Sequence, residues 1–390
     1  MYFAGGMSYL SRRIVFPGQS FFLWGPRQSG KTTLLKSRYS DAHRIDLLRT
    51  DERMRYEREP HRLREVLRAL PPEKRVVIDE IQKVPAILDE VHHAMQETGR
   101  FFTLCGSSAR RIRRAHANLL GGRALKRELL GFSAVELGEA FDLERMLNHG
   151  PLPPHYLAGE AGELQAAYVD QYLKEEILDE GLTRNLPAFD QFLRAAAIGD
   201  TEVVNFSNIA RESGVASSTI KGYYEVLEDT LVGAFLPAFT RRPKRRVQHA
   251  PKFFFRDVGV VNHLLRRQRV LPGSEIFGKG FENWIFHELS CYARTLRDPF
   301  EIAYWRLSSG IEVDFVLGDG EVAIEVKGKD RVRSHDTRHL LQFRKDYPAV
   351  RELLLVCCEN EERVTDEGVS ILPWRTFIDR LWSGDLPGAR

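Results

Sequence analysis

Short apolar runs alternate with longer amphipathic stretches over the first part of the chain. Helical periodicity marks His61–Leu70 and Ala86–Thr98. Strands that alternate with helices favour a parallel sheet with right-handed crossovers. The pattern therefore predicts an α/β domain at the start of the chain. Its apolar runs predict strands at Phe21–Trp24, Arg44–Leu48, Val76–Asp79 and Phe101–Cys105.

The pattern changes after a proline-rich stretch at residues 150–155. From about residue 165 to residue 239 the apolar positions follow a helical period, and strands return from Pro251 onward. We therefore expect an α/β domain at 1–150, a helical domain at 151–250 and a second α/β domain at 251–390. The predicted strands of the last domain are Lys252–Phe255, Ile302–Arg306, Glu312–Leu317, Val322–Val326 and Leu353–Cys357.

Composition narrows the class of protein. Of 390 residues, 43% are hydrophobic and 28% are charged, which excludes disordered and collagen-like chains. No apolar stretch approaches the ~18 residues of a membrane span, and the N-terminus lacks a signal-peptide layout. We expect a cytoplasmic protein without a membrane partner. The 4 cysteines show no metal-ligand spacing.

Charge is balanced in total, with 57 Lys and Arg against 54 Asp and Glu, but it is unevenly placed. Four arginines fall within residues 110–114, and five of the six residues at 241–246 are basic. Basic runs of this kind favour contact with nucleic-acid phosphates.

The clearest motif is a glycine-bearing loop between the first predicted strand and a helix that starts near Lys31. Its spacing matches G-x-x-x-x-G-K-[ST], in which backbone N–H groups face phosphates at a helix N-terminus. Lys31 can reach the β- and γ-phosphates, and the Thr32 hydroxyl can ligate Mg²⁺. The sequence thus predicts an ATP site with Mg²⁺. Its candidate nucleotide-binding residues are Gly25, Pro26, Arg27, Gln28, Ser29, Gly30, Lys31, Thr32 and Thr33.

Two acidic residues follow the apolar strand at Val76–Asp79. Asp79 is expected beside the Mg²⁺, at the carboxyl edge of the sheet where ligands bind. Glu80 is then placed to orient and polarise the attacking water. A solvated acidic pair at a strand end is the plainer alternative.

Two further polar positions are candidates for the same site. Ser107, or its neighbour Ser108, ends the next strand and is able to sense the water or the γ-phosphate, although serine there is also ordinary turn chemistry. Arg123 follows Gly121-Gly122 and is a candidate for the cation that neutralises transition-state charge, supplied by a neighbouring subunit in one version. A solvated arginine after a flexible turn is the alternative.

Taken together, these motifs resemble the AAA+ ATPases, and one prokaryotic branch in particular. They stand here as GPRQSGKTT at 25–33, DEIQ at 79–82, GSS at 106–108 and GR at 122–123. Members of that branch carry a C-terminal DUF4143 domain. The resemblance implies ATP hydrolysis and assembly into homo-oligomers.

The helical middle resembles a helix-turn-helix with a following wing. A predicted helix at Val203–Ala210 is followed by a turn at Ser213-Gly214 and a second helix at 218–227. Ser218, Thr219 and Lys221 are expected to face outward, where a recognition helix contacts DNA. A packing module is the alternative, because Glu225 and Glu228 oppose the single lysine.

Polar residues converge again in the C-terminal domain. Strand alternation places Asp314 on one strand, and Glu325 with Lys327 on one face of the next, across a turn at residues 318–320. Glu282 lies on an upstream helix. Carboxylates suit Mg²⁺ or Mn²⁺, and the lysine is able to stabilise a phosphoryl transition state. An exposed hairpin with ordinary salt bridges is the alternative.

This D-x10-E-x-K pattern resembles the PD-(D/E)XK nucleases. The resemblance implies a restriction-endonuclease-like fold, with Asp314 and Glu325 as metal ligands, Glu282 as the helix acid and Lys327 as the catalytic lysine. No proline precedes the aspartate, which departs from the family pattern.

Two functions follow as hypotheses. In the first, an AAA+ ATPase controls a metal-dependent domain that acts on or binds nucleic acid, with DNA expected over RNA. In the second, ATP regulates an oligomeric scaffold whose C-terminal domain is inactive and only binds nucleic acid or protein.

Overall fold

The structure, a computed structural model, describes residues 10–108, 122–173, 185–241, 247–296 and 299–387. It contains two compact units. The first holds the described residues up to Leu130 together with Asp229–Val232, and the second holds the remainder. Within the described ranges, none of the helices combines the length and the apolarity that a membrane crossing requires.

A parallel sheet of five strands forms the first unit. Its strands are β1 (Phe21–Trp24), β2 (His43–Asp46), β3 (Val76–Asp79), β4 (Phe102–Gly106) and β5 (Leu125–Glu128). They are ordered β2-β3-β4-β1-β5, and every neighbouring pair runs parallel. The predicted parallel α/β architecture is confirmed.

Both faces of this sheet are covered, which explains the uninterrupted apolar runs. Phe22 and Trp24 pack into one hydrophobic core, whereas Phe21 and Leu23 pack into the other. The helices of this unit are α1 (Lys31–Arg38), α2 (Thr50–Arg58), α3 (Arg62–Arg68) and α4 (Ile87–Thr98), with a 3-10 turn at Ile81–Lys83.

The second unit begins with short helices and continues into the helix-turn-helix region. Its helices are α5 (Ala134–Leu137), α6 (Leu143–His149), α7 (Pro153–Leu157), α8 (Gly162–Ala167), α9 (Leu186–Ile198), α10 (Phe206–Ser213), α11 (Ser217–Asp229), α12 (Val258–Leu264), α13 (Glu275–Ala293), α14 (Arg338–Asp346) and α15 (Trp374–Ser383). A π-helical stretch covers Tyr168–Leu173, and 3-10 turns cover Gly138–Ala140 and Ser334–Thr337.

Helix α10 begins later than the hydrophobic pattern indicates. Asn205 caps it, since its side chain accepts a hydrogen bond from the amide of Asn208 at 3.0 Å. Val203 lies outside the helix and forms a β-bridge with Lys252. Gly214, at φ 64°, ends the helix and makes the predicted turn.

Two sheets complete the second unit. One pairs β6 (Gly233–Leu236) antiparallel with β7 (Lys252–Phe255), as a wing after α11. The other has the order β12-β13-β11-β10-β9-β8 and is mixed, with the predicted hairpin between β9 and β10. Its strands are β8 (Ile302–Arg306), β9 (Glu312–Leu317), β10 (Val322–Lys327), β11 (Glu352–Cys357), β12 (Arg363–Val364) and β13 (Ser370–Pro373).

A buried carboxyl group organises the long helix α13. Glu288 is fully buried, and its Oε1 accepts hydrogen bonds from the amide of Ala134 at 2.7 Å and from Trp284 Nε1 at 3.1 Å. Its Oε2 accepts a third from Trp382 Nε1 at 3.1 Å. Burial raises the pKa of Glu288 to about 7, because the charged form loses its hydration.

This carboxyl group makes the stability of the second unit depend on pH. The folded protein holds the Glu288 proton up to about pH 7, whereas the unfolded chain releases it near the ordinary value of 4.5. The contribution is therefore complete below pH 4.5 and is lost as pH rises to 7, by up to about 3 kcal/mol. We expect the difference in unfolding free energy between wild type and Glu288→Gln to fall over this range. Denaturant titrations at several pH values measure it.

The matched control is Glu361→Gln, which neutralises an exposed glutamate. Its unfolding free energy should follow the pH dependence of the wild type. A wild-type advantage over Glu288→Gln that grows between pH 4.5 and 7 would contradict the prediction.

Candidate nucleotide site and carboxylate cluster

The glycine-bearing loop joins β1 to α1, as the sequence predicts. Gly30 has φ 91° and precedes the first residue of α1, so the helix N-terminus opens directly onto the loop. A Cβ at Gly25 would lie 2.3 Å from the carbonyl oxygen of Leu129, so this position accepts only glycine. A helix N-terminus leaves the amides of its first turn without helical partners, and a helix that starts directly after a glycine loop has the geometry of an anion site.

Lys31 is held over this loop. The residue is buried, and its Nζ donates to the carbonyl oxygens of Gly25 at 2.7 Å and Pro26 at 2.8 Å. Ser29 is also buried, and among the residues that the structure describes its Oγ has no hydrogen-bond partner. A buried ammonium and an unpaired hydroxyl at a helix N-terminus fit a phosphate group.

The remaining predicted binding residues surround the same loop. Gln28 adopts φ 67°, which helps the loop to turn. Gln28 and Thr33 are exposed, whereas Arg27 is half-buried. The nine predicted residues therefore run from the end of β1 into the first turn of α1.

Thr32 and Asp79 come together across the sheet edge. The Thr32 hydroxyl donates to Asp79 Oδ2 at 2.7 Å, and Asp79 Oδ1 accepts from the amide of Glu80 at 3.1 Å. A hydroxyl and a carboxylate in contact are the oxygen ligands that Mg²⁺ takes beside phosphates. These residues fit the predicted magnesium ion.

Glu80 has a conformation that is unusual for a non-glycine residue. Its backbone lies in the left-handed region at φ 55° and ψ 45°, directly after β3, and the residue is buried. Such strain concentrates at functional sites because the surrounding structure must hold it. Here the carboxylate of Asp79 contributes by accepting the Glu80 amide hydrogen.

Gln82 is a functional candidate that the sequence analysis missed. Its Nε2 donates to Glu80 Oε2 at 2.6 Å and to Ser107 Oγ at 3.0 Å, so one amide joins the two predicted residues. Gly106 accommodates it, because a Cβ there would lie 2.3 Å from Gln82 Oε1. Ser107, one of the two candidate serines, is thus linked to Glu80 through the Gln82 amide. The signal that was available is its place at the end of the DEIQ motif at 79–82.

Arg12 is the second residue that the sequence analysis missed. Its guanidinium donates to the carbonyl oxygens of Ser29 and Leu130, both at 2.7 Å. It thereby fixes the loop from a residue that lies before β1. No motif marks this arginine, because it binds through backbone oxygens.

Arg123 lies apart from these contacts. It is exposed, and its guanidinium is 2.9 Å from His92 Nε2 on α4. Gly121 and the arginines at 110–114 lie outside the described residues, as do positions 242–246 of the second basic run.

The predicted residues of β9 and β10 also come together. Asp314 Oδ2 accepts from the amide of Val326 at 2.8 Å, and Lys327 Nζ donates to Glu325 Oε1 at 2.6 Å. Glu325 is buried, and within the described ranges its Oε2 has no hydrogen-bond partner. Burial, and then the charge of Glu325, raise the pKa of Asp314.

Glu282 has a different partner from the one predicted. Lys252 Nζ lies 3.1 Å from Glu282 Oε1, 2.5 Å from Glu312 Oε1 and 4.0 Å from Asp314 Oδ1. We call these three acidic residues the carboxylate cluster. Burial opposes the charge on Lys252, but the carboxylates outweigh it and raise the pKa of this ammonium. Neither Lys252 nor Glu312 was a sequence candidate.

These contacts do not fit the predicted metal set of Glu282, Asp314 and Glu325. Glu282 is paired with the ammonium group of Lys252, whereas Glu325 is paired with that of Lys327. In the described part of the chain, no three His, Cys, Asp or Glu side chains are grouped to hold a metal ion.

The helix-turn-helix presents only part of its predicted surface. Ser218 and Lys221 are exposed on α11, whereas Thr219 is half-buried. Lys221 Nζ lies 5.6 Å from the ring centre of Phe206, which is within cation–π range.

Three families match successive parts of the chain. Residues 18–138 match the family described as an AAA domain. Residues 140–270 match DUF8612 and residues 277–377 match DUF4143, both described as domains of unknown function.

Individual relatives are distant. Uncharacterized proteins of Mycobacterium bovis (Mb2031c) and Mycobacterium tuberculosis (Rv2008c) are each 25% identical over 323 residues, covering 78% of this chain and 69% of theirs. The structure of the Aeropyrum pernix ORC2 protein in its ADP form aligns with a TM-score of 0.34 and 13% identity, covering 64% of this chain and 88% of that one. The family matches carry what can be stated: residues 18–138 are similar to AAA-type, P-loop domains of the ATP-binding class, and residues 277–377 are similar to the DUF4143 family.

Proposed function

We propose that this protein hydrolyses ATP with Mg²⁺ and that its second unit engages nucleic acid. The observation that carries the first part is the chain of contacts from Thr32 through Asp79 to Glu80, and from Glu80 through Gln82 to Ser107. It joins the residues for metal, water and phosphate in one site.

Each residue has a distinct task in this proposal. The loop amides and Lys31 bind the phosphates and neutralise their charge. Thr32 and Asp79 hold Mg²⁺, which supplies electrophilic polarisation of the phosphoryl group. Glu80 accepts a hydrogen bond from the attacking water, while Gln82 fixes its carboxylate relative to Ser107.

We further propose that the active form is a homo-oligomer in which Arg123 completes the site of a neighbouring subunit. The arginine is exposed, and its guanidinium contacts the imidazole of His92 and not a carboxylate, so it is available to a phosphate. Transition-state charge in phosphoryl transfer is commonly met by such a cation.

For the second unit, the first candidate is ATP-controlled cleavage of nucleic acid. Its support is the convergence of Asp314, Glu325 and Lys327 on adjacent strands, in the pattern of the PD-(D/E)XK nucleases. DNA is the expected substrate, and the wing and outward face of α11 offer a contact surface.

The second candidate is binding without cleavage, with ATP setting the oligomeric state. A specific observation favours it: the carboxylates of Glu282 and Glu312 are paired with Lys252 and are not free to bind a metal ion. The two candidates differ in whether Lys327 does chemistry.

Substitution of Lys327 distinguishes them. In the cleavage candidate, Lys327→Ala abolishes cutting of labelled DNA or RNA in Mg²⁺ or Mn²⁺, because a catalytic lysine is lost, while ATP turnover stays near wild type. The assay measures cleavage and phosphate release in parallel, with and without ATP, and includes Lys31→Ala to test control by nucleotide.

Lys329→Ala is the matched control. Lys329 lies two residues after Lys327, is exposed and is paired with Asp336. It should cleave like wild type. ATP turnover without cleavage of any substrate selects the binding candidate, and cleavage that persists in Lys327→Ala removes this lysine from the mechanism.

A further inference from the structure

We infer that the ammonium group of Lys252 is the resident cation of the carboxylate cluster, so that Glu282 serves Lys252 and not a divalent metal. This inference goes beyond the proposed ATPase and bears on the second unit alone. Its test reads cation binding, so a failure to detect ATP turnover or cleavage leaves it standing.

The geometry places one cation at the common point of three side chains. Glu312 and Asp314 come from β9 and Glu282 comes from α13, yet an oxygen of each lies 2.5 to 4.0 Å from Lys252 Nζ. Ligand oxygens of Mg²⁺ and Ca²⁺ lie at roughly 2.0–2.6 Å from the ion. A divalent ion bound by the same oxygens of Glu282 and Glu312 would therefore lie close to the ammonium group, whose positive charge repels it.

Burial and backbone pairing hold the lysine in the cluster. Its side chain is only 3% exposed, and its backbone is fixed in β7 by pairing with Leu236 and by the bridge to Val203. The ring of Tyr304 lies 5.6 Å from Nζ on another side. Because an unpaired buried ammonium is very unfavourable, Lys252 stays with its carboxylates.

Without Lys252, the negative charge of the carboxylate cluster would lack its balancing cation. Of its oxygens, Glu312 Oε2 is paired with Arg306 at 3.0 Å, while the oxygens that face Nζ depend on Lys252. Removal of the ammonium leaves the buried carboxylate of Asp314 and the half-buried carboxylates of Glu282 and Glu312 around one point. Carboxylate oxygens are the ligands that a hard divalent cation takes, once these side chains close around the point that the ammonium has left.

The experiment removes the ammonium group and measures whether the variant gains a metal-binding site. Lys252→Met keeps the length and apolar stem of the side chain without its charge. Full-length protein without nucleotide, in an Asp79→Asn background that disables the other predicted metal site, is titrated with Mn²⁺ and followed by electron paramagnetic resonance. We expect the variant to bind one further Mn²⁺, about tenfold or more tightly than any site in its parent. Its thermal midpoint should fall without metal and recover with it.

Lys279→Met is the matched control, because Lys279 lies on α13 and pairs with the exposed Glu202. It should bind Mn²⁺ as the parent does. A folded Lys252→Met that gains no Mn²⁺ site overturns the inference.

A second comparison does not depend on that variant folding. In the protein that keeps Lys252, Glu282→Gln should leave Mn²⁺ binding unchanged, since Glu282 is engaged by the ammonium. Loss of a Mn²⁺ site in Glu282→Gln shows that the cluster already binds metal, and it overturns the inference directly.

Discussion

Glu80→Gln is expected to lower ATP turnover by about a hundredfold or more while ATP remains bound, since a positioned general base contributes roughly 10²–10⁴-fold. Glutamine keeps the size of the side chain and can still accept from Gln82 Nε2 through its amide oxygen, so the buried contacts of Glu80 survive. What it lacks is the carboxylate that polarises water. Steady-state phosphate release, beside titration of a fluorescent ATP analogue, separates turnover from binding.

Glu97→Gln is the matched control for this experiment. It makes the same chemical change at an exposed position of α4, in the same unit. We expect its turnover and its ATP affinity to equal those of wild type. Glu80→Gln with wild-type turnover would assign the buried glutamate a structural role only, and equal loss of binding and turnover would place it in nucleotide binding.

Much of the first unit could be predicted from sequence, because its signals are local. Strand β1 is apolar throughout since both of its faces are buried. The spacing of the glycines between Gly25 and Thr32 was enough to predict the phosphate-binding loop. The end of β3 at Asp79 followed from the change from apolar to acidic residues.

The contacts that assemble the site were harder to predict because they are long-range. Arg12 binds the carbonyl oxygen of Leu130, 118 residues away, and leaves no mark in the sequence around it. Gln82 is the last residue of the DEIQ motif, but only the backbone turn at Glu80 in the structure shows that its side-chain amide reaches Ser107. Polar residues that act through backbone or side-chain bridges show no spacing rule.

The same limit explains the carboxylate cluster. Alternation along β9 and β10 correctly predicts that Asp314 and Glu325 lie on adjacent strands, because the hairpin between them is short. The alternation pattern does not predict the contact of Lys252, which lies on β7 and is separated from Glu282 by 30 residues. In sequence it looks like the first residue of an apolar strand, where a lysine is normally exposed.

The second large effect concerns nucleotide binding itself. Lys31→Ala is expected to weaken ATP binding by about ten- to a hundredfold, because a charge-assisted hydrogen bond to phosphate contributes roughly 1.5–3 kcal/mol. The ammonium is already buried over the loop at 2.7 Å from the carbonyl of Gly25, so it needs little reorganisation to meet a phosphate. Isothermal titration with ATP and Mg²⁺ measures the change.

The fold should tolerate this change, because the loop keeps its anchor through Arg12 and the helix N-terminus keeps its amides. Lys36→Ala supplies the matched control, since it removes an exposed lysine from the last turn of the same helix. Its ATP affinity should stay within about twofold of wild type, as screened surface charges contribute little. If Lys31→Ala bound ATP as tightly as Lys36→Ala, the phosphates would have to be held by groups other than this ammonium, such as the loop amides, which would contradict the prediction. A loss confined to Lys31→Ala instead makes the buried ammonium the main electrostatic determinant of ATP affinity.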